Sequence, residues 1–222
     1  MISDTTFVIA VRKGSKRIAS KNTKKFGNSS LLEIKLKQIR RLFPSSCVIV
    51  SSDCAKSLLI ASKYTKNLDR RPKKYCTSFV PMKKVYKYLA SKVKTTYVCY
   101  LHVTSPLLSD KTLLRTLKKI SKIKKNKFDS IATVNLVKEY LWFKNKAINY
   151  NPNNHPKSQN LPNYYSLNFA INIIEKKKME KYGKIVGKKF FPILLKFPEN
   201  IDVDEKWQFI IADILYKKKI KF

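Results

Sequence analysis

Residues 7–22, FVIAVRKGSKRIASKN, gather Arg12, Lys13, Lys16, Arg17 and Lys21 around a Gly14-Ser15 break that follows a β-rich apolar run. A buried strand opening into such a loop presents backbone N–H groups and cations at one edge of a sheet. In an open α/β sheet that edge is where ligands sit, and a basic glycine- and serine-containing loop suits phosphates. The loop is not a Walker A motif, because no Gly-Lys-Ser/Thr follows at the required spacing. Nor is it GxGxxG, because Gly14 has no partner glycine nearby. Far along the chain, Ile201-Asp202-Val203-Asp204 precedes a helical pattern. In an extended segment, residues i and i+2 project to the same side. Asp202 and Asp204 would thus offer paired carboxylates to one Mg²⁺ ion that keeps waters and substrate phosphates as its other ligands. The bland alternatives are a basic surface turn in a lysine-rich chain, an Asp204 that caps the last helix, and an Asp202 in a solvated turn.

The elements that must position these residues follow from periodicity. A strand over residues 5–11 leads into the loop. Ser30-x-x-Glu33 forms a capping box that opens a helix through Phe43, with Leu32, Leu36, Ile39 and Phe43 on one stripe and Pro44 ending it. Val48-Ile49-Val50 reads as a strand buried on both faces. Asp53 stands at its carboxyl end, facing ligand or capping the helix over residues 55–64. Residues 67–75 read as a polar, basic loop, followed by a helix over 82–91 and a strand over 96–103. Thr104-Ser105-Pro106 turns the chain, and Asp110 is placed to cap a helix carrying Leu113, Leu114, Leu117 and Ile120. A second half begins with a strand at 130–134, a hairpin at 139–150 and an Asn- and Pro-rich loop at 151–162. It continues with a strand at 164–174, a helix at 175–182 and a strand at 190–197 whose Pro192 suggests an irregular or edge position. A last helix at 205–216 carries Trp207, Ile210, Ile211 and Ile214 on one stripe. Alternating strands and helices predict a three-layer Rossmann-like α/β fold, a mostly parallel sheet with helices on both faces and a small hairpin extension. One domain spans residues 1–222, with no repeat and no linker.

Composition bounds the function. The 222 residues carry 48 Lys and Arg against 14 Asp and Glu, a net charge of +34. Such a charge suggests nucleic acid or an anionic surface as partner. Against nucleic acid, only 7 of the basic residues are Arg, the residue favoured for bidentate phosphate and base contacts, and the lysines scatter along the whole chain. Abundant Lys, Asn, Ile and Tyr with scarce Gly reflect an A+T-rich coding sequence. The charge would still draw nucleoside triphosphates towards the protein. No apolar run is long enough to span a membrane, and residues 1–6 lack signal-peptide character, so a cytoplasmic protein is expected. Cys47, Cys54, Cys76 and Cys99 form no CxxC pair, consistent with free thiols in a reducing compartment.

Arg12-Lys13-Gly14-Ser15-Lys16-Arg17-Ile18-Ala19-Ser20-Lys21-Asn22 resembles the signature loop of the acylneuraminate (CMP-sialic acid synthetase) cytidylyltransferases, approximately Arg-Gly-Gly-Ser-Lys-x-Ile-Pro-x-Lys-Asn. Further short matches follow in the family's order: Ser51-Ser52-Asp53, Arg71-Pro72, Thr104-Ser105-Pro106-Leu107, Leu161-Pro162, Asn168-x-Ala170-Ile171 and Ile201-Asp202-Val203-Asp204. The resemblance implies attack of a sugar-acid hydroxyl on the α-phosphorus of CTP, with release of pyrophosphate and a need for Mg²⁺. It implies that Arg12 and Lys21 hold the triphosphate and neutralise developing charge, making them the catalytic pair. Ser15 and Asn22 would contact the nucleotide, and Arg71 the base or ribose region. His102, Thr104, Ser105 and Asn168 would line the sugar side, and Asp202 and Asp204 would bind the metal. A homodimer built on residues 139–162 is implied as well.

Several positions depart from that pattern. Lys13 replaces a family glycine, His102 replaces a Gln, and Phe169 replaces the glycine of Asn-Gly-Ala. Ser166 replaces an Arg expected to pair with the sugar carboxylate, and residues 73–80 lack the Asp-Thr pair that follows Arg-Pro, with Thr77-Ser78 nearest to it. The nucleotide and metal half is thus better kept than the sugar half, which points to an altered acceptor or an impaired enzyme.

Overall fold

A computed structural model describes residues 4–125 and 127–218. The opening segment's first three residues and the last four of the chain lie outside the described residues. The elements run β1 (Thr5–Ala10), β2 (Lys25–Phe26), β3 (Ser29–Ser30), α1 (Leu31–Leu42), β4 (Val48–Ser52), α2 (Ala55–Ser62), β5 (Leu68–Arg70), α3 (Met82–Ser91) and β6 (Tyr97–Leu101). They continue with α4 (Asp110–Lys118), α5 (Ile120–Lys124), β7 (Ser130–Val137), β8 (Trp142–Phe143), β9 (Lys146–Ala147), β10 (Tyr164–Glu175), α6 (Lys176–Tyr182), β11 (Phe190–Leu194) and α7 (Lys206–Lys218). Among the described residues, seven strands form one sheet in the order β11-β7-β10-β6-β1-β4-β5. β10 alone runs antiparallel to its two neighbours; the other pairings are parallel.

Alternation along β1 sorts the core into two layers. Phe7 and Ile9 pack with Leu32, Leu36 and Ile39 of α1, Leu113 and Leu117 of α4, and Phe209 of α7. Val8 faces the other way, with Val98 and Tyr100 of β6, Val85 and Leu89 of α3, and Met179 of α6. Helices thus cover both faces of a mostly parallel sheet, as the alternating pattern requires.

Several local expectations change. Only one arm of the capping box closes: Glu33 N donates to Ser30 Oγ at 3.3 Å, while the Glu33 carboxylate accepts from Ser29 Oγ and Tyr64 OH at 2.7 and 2.6 Å. Residues 67–75 include a short strand, β5, because the sheet has a free parallel edge at β4. Ser109, not Asp110, caps α4, its Oγ accepting from Thr112 N at 3.1 Å. Asp110 is instead the first helical residue and receives both Arg41 Nε and Nη2 at 2.7 Å. On α7 the periodic stripe of Trp207, Ile210, Ile211 and Ile214 faces outward, 41–61% exposed, while Phe209 and Ala212 pack inward. Period alone identifies a face but not which way it turns. Pro192 sits on the edge strand β11, as its missing N–H demands.

Candidate active site

A cavity of about 490 Å³ opens where β1 and β6 end. Its wall is the basic loop that follows β1, and its floor is the segment that precedes α7. Gly14 adopts φ +86°, a left-handed conformation that suits only glycine without strain, although a Cβ there would meet open space. Lys13 N donates to Asp53 Oδ1 at 2.8 Å. This bond fastens the loop to the end of β4, so the amide of Lys13 is already engaged, and Asp53 serves the loop; Cys54 occupies the N-cap of α2. Arg71 is buried and donates Nη2 to Val11 O at 2.6 Å, holding the end of β1 from beneath.

The cavity brings together Arg12, Ser15, Lys21, Asn22, His102, Thr104, Asp202 and Asp204. Arg71, Ser105 and Asn168 are buried outside its lining. The Ser105 carbonyl accepts from the buried Lys35 Nζ at 3.1 Å. Asn168 Nδ2 donates to Asn135 Oδ1 at 2.7 Å, and its own Oδ1 accepts from Ala170 N at 3.2 Å. These bonds tie Asn168 into a register shift where β10 leaves β7 between Leu167 and Asn172. Phe169, inside that irregularity, lines the cavity with φ +59°.

Opposite charges meet on the floor. Lys21 Nζ donates to Val203 O and to Asp204 Oδ1, both at 2.8 Å. Arg17 Nη2 lies 3.1 Å from Asp204 Oδ2, and its Nη1 lies 3.0 Å from Glu205 Oε1. Val203 N donates to Thr104 O at 2.7 Å, joining the acidic segment to the turn after β6. Arg17 lay within the basic run of the sequence, but spacing alone could not show which cation folds onto the acids.

The two carboxylates have opposite character. Burial pushes the Asp202 carboxyl up, and the charge of Asp204 adds to that, against Thr104, Lys21 and Arg17. Burial also pushes Asp204 up, but Lys21 and Arg17 outweigh it and hold that carboxyl below its ordinary value. Burial lowers His102 to about 4, so its ring is neutral near pH 7, and its Nε2 has no partner among the described residues. Asp202 Oδ1 is likewise buried without a partner among the described residues. An orphaned carboxylate oxygen beside a second carboxylate fits a hard divalent cation. Among the described residues no group of three or more His, Cys, Asp and Glu is placed to hold a metal ion, so an ion on these two carboxylates would complete its shell with phosphates and water.

The sequence profile of the cytidylyltransferase family matches residues 6–190. The chain belongs to the cytidylyltransferase family. The match runs from β1 to the start of β11 and so takes in the basic loop, while the Asp202–Asp204 segment lies beyond it. Among curated proteins none matches the sequence. Similar solved structures include CMP:2-keto-3-deoxy-manno-octonic acid synthetase complexed with CTP, with a TM-score of 0.67 at 11% identity over 98% of this chain and 100% of that one. A 4-diphosphocytidyl-2C-methyl-D-erythritol synthase from Anaerococcus prevotii gives 0.66 at 13% identity over 97% and 98%. A cytidylyltransferase from Leptospira borgpetersenii gives 0.59 at 15% identity over 97% and 94%. At these identities the likeness is one of fold, and it extends over nearly the whole chain.

Proposed function

We propose that the protein transfers CMP from CTP to a sialic-acid-like, nonulosonic sugar acid and releases pyrophosphate. The acceptor hydroxyl forms the new bond to the α-phosphorus while the α–β bridging P–O bond breaks. The observation that carries this reading is the floor of the cavity, where two loop cations converge on Asp204 beside the unpartnered Asp202 Oδ1. Arg12 and Lys21 hold the triphosphate and stabilise the leaving pyrophosphate, and Ser15 and Asn22 contact the nucleotide. Arg71 acts through Val11 O, by setting the height of the loop. His102 and Thr104 face the acceptor, while Ser105 and Asn168 shape the turn and the bulge around it. Asp202 and Asp204 would hold Mg²⁺, which would offset the charge of the phosphates and of the leaving pyrophosphate.

The acceptor end supports a second reading. Ser166, where the acylneuraminate pattern has an Arg, stands exposed on β10 opposite Asn135. Nucleotidyl transfer to another sugar, one whose recognition needs no guanidinium clamp on a carboxylate, is therefore the second reading. The hairpin β8–β9 exposes Trp142 and Phe143, and Tyr164 and Tyr165 at the start of β10 are exposed as well. This apolar edge supports a homodimer through residues 139–162. No helix among the described residues is long and apolar enough to cross a membrane.

Calorimetric titration with each of the four nucleoside triphosphates and Mg²⁺ tests the nucleotide assignment. CTP should bind at least about tenfold more tightly than the others, a preference of roughly 1.4 kcal/mol. Lys21→Met should weaken it further. Equal binding of all four, or CTP binding indifferent to Lys21→Met, would remove this assignment.

A further inference from the structure

Both oxygens of Asp204 are occupied by loop cations, whereas Asp202 Oδ1 has no partner among the described residues. The two cations are not equivalent. Lys21 is 13% exposed and is also anchored to the backbone at Val203 O, so its place is fixed by the fold. Arg17 is 56% exposed and spans two carboxylates, Asp204 and Glu205, through its two terminal nitrogens. It also lines the cavity in which phosphates would lie. A guanidinium prefers bidentate oxyanion pairs, and a triphosphate offers more charge than two surface carboxylates.

We infer that Arg17 is a removable clasp on the metal carboxylates: it blocks Asp204 until a triphosphate draws it away, so that metal binds tightly only together with nucleotide. The inference rests on the reading of Asp202 and Asp204 as metal ligands. The coupling is reciprocal: the factor by which nucleotide strengthens metal binding equals the factor by which metal strengthens nucleotide binding. Arg17 thus positions the site for ordered loading and keeps a lone cation from settling in it.

The test is Mn²⁺ binding, read by the electron paramagnetic resonance of the free ion, with and without α,β-methylene CTP, which cannot release pyrophosphate. Three proteins are compared: the wild type, Arg17→Gln and Lys16→Gln. Lys16 lines the same cavity but makes no ion pair among the described residues, so its loss removes equal charge without freeing Asp204. Without nucleotide, Arg17→Gln should bind Mn²⁺ about five- to tenfold more tightly than wild type, and Lys16→Gln at most about twofold. The enhancement by the CTP analogue should shrink in Arg17→Gln. Equal gains in the two variants, or no gain in Arg17→Gln while the analogue still binds, overturn the clasp alone. Mn²⁺ affinity unchanged by Asp202→Ala with Asp204→Ala overturns the clasp together with the metal reading beneath it.

Discussion

Phe169 offers a test in which backbone and side chain can be separated. Its φ of +59° lies in the left-handed region, where a Cβ crowds the following carbonyl. That strain is worth about 1–2 kcal/mol for a residue other than glycine. The bulge keeps it there because Asn172 Nδ2 donates to Phe169 O at 3.0 Å and Ala170 N donates to Asn168 Oδ1 at 3.2 Å. Phe169→Ala and Phe169→Gly both remove the ring that stands 5.8 Å from His102, so they lose the same packing. They differ only in the backbone. In an ordinary strand, glycine is less stable than alanine by about 0.5–1 kcal/mol, through unfolded-state entropy. Here relief of the strain should reverse that order and leave the glycine variant ahead by about 0.5–1 kcal/mol. In urea unfolding the glycine variant should show the higher midpoint, and in a thermal scan it should melt about 1–4 °C later. An alanine variant as stable as the glycine variant, or more so, would refute the strain argument. It would also refute the view that this position in the fold calls for glycine.

Three further outcomes follow from the site. Asp202→Asn should abolish turnover yet raise Tm near pH 7 by about 1–3 °C, since burial raises the folded-state pKa and the ionised form opposes folding above it. The difference should vanish near pH 3, where both states are protonated, and an unchanged Tm at pH 7 would contradict the burial argument. His102 is lowered from 6.5 to about 4, so the folded protein binds fewer protons than the unfolded chain in that interval, and stability falls as pH drops through it. At about 1.4 kcal/mol per pH unit the loss is capped at ~3 kcal/mol, and His102→Gln should flatten it in urea titrations at pH 6.5 and 4.5. Arg71→Met should destabilise by about 1–3 kcal/mol by orphaning Val11 O, and should weaken CTP binding through the loop. Full stability in that variant would show that the buried bond contributes little.

The fold was legible because the periods agree with one another. Met82–Ser91 is a helix with the bounds that the sequence implies, and the alternation in β1 assigns Phe7 and Val8 to opposite layers. The loop and the Asp-x-Asp segment stood out in the sequence because charge, glycine and spacing coincide, and the structure brings both to one cavity. Three things were not. The outward turn of the α7 stripe depends on which face meets Phe26, and a pattern of period 3.6 does not carry that information. The burial of Arg71 and Asn168 depends on long-range partners, Val11 and Asn135. Arg17 was one basic residue among several, distinguished only when the chain brings Asp204 and Glu205 back to it.

The central claim is cytidylyl transfer within this cavity. It is tested most directly by incubating the protein with CTP, Mg²⁺ and single members of a panel of nonulosonic and related 2-keto sugar acids, and weighing the products by mass spectrometry. The account predicts one new species, a CMP–sugar acid formed in equal amount with pyrophosphate. That species should be absent with ATP, GTP or UTP, and absent for Asp202→Ala with Asp204→Ala. Product formed equally well by the double variant, or from any of the four nucleotides, would contradict it.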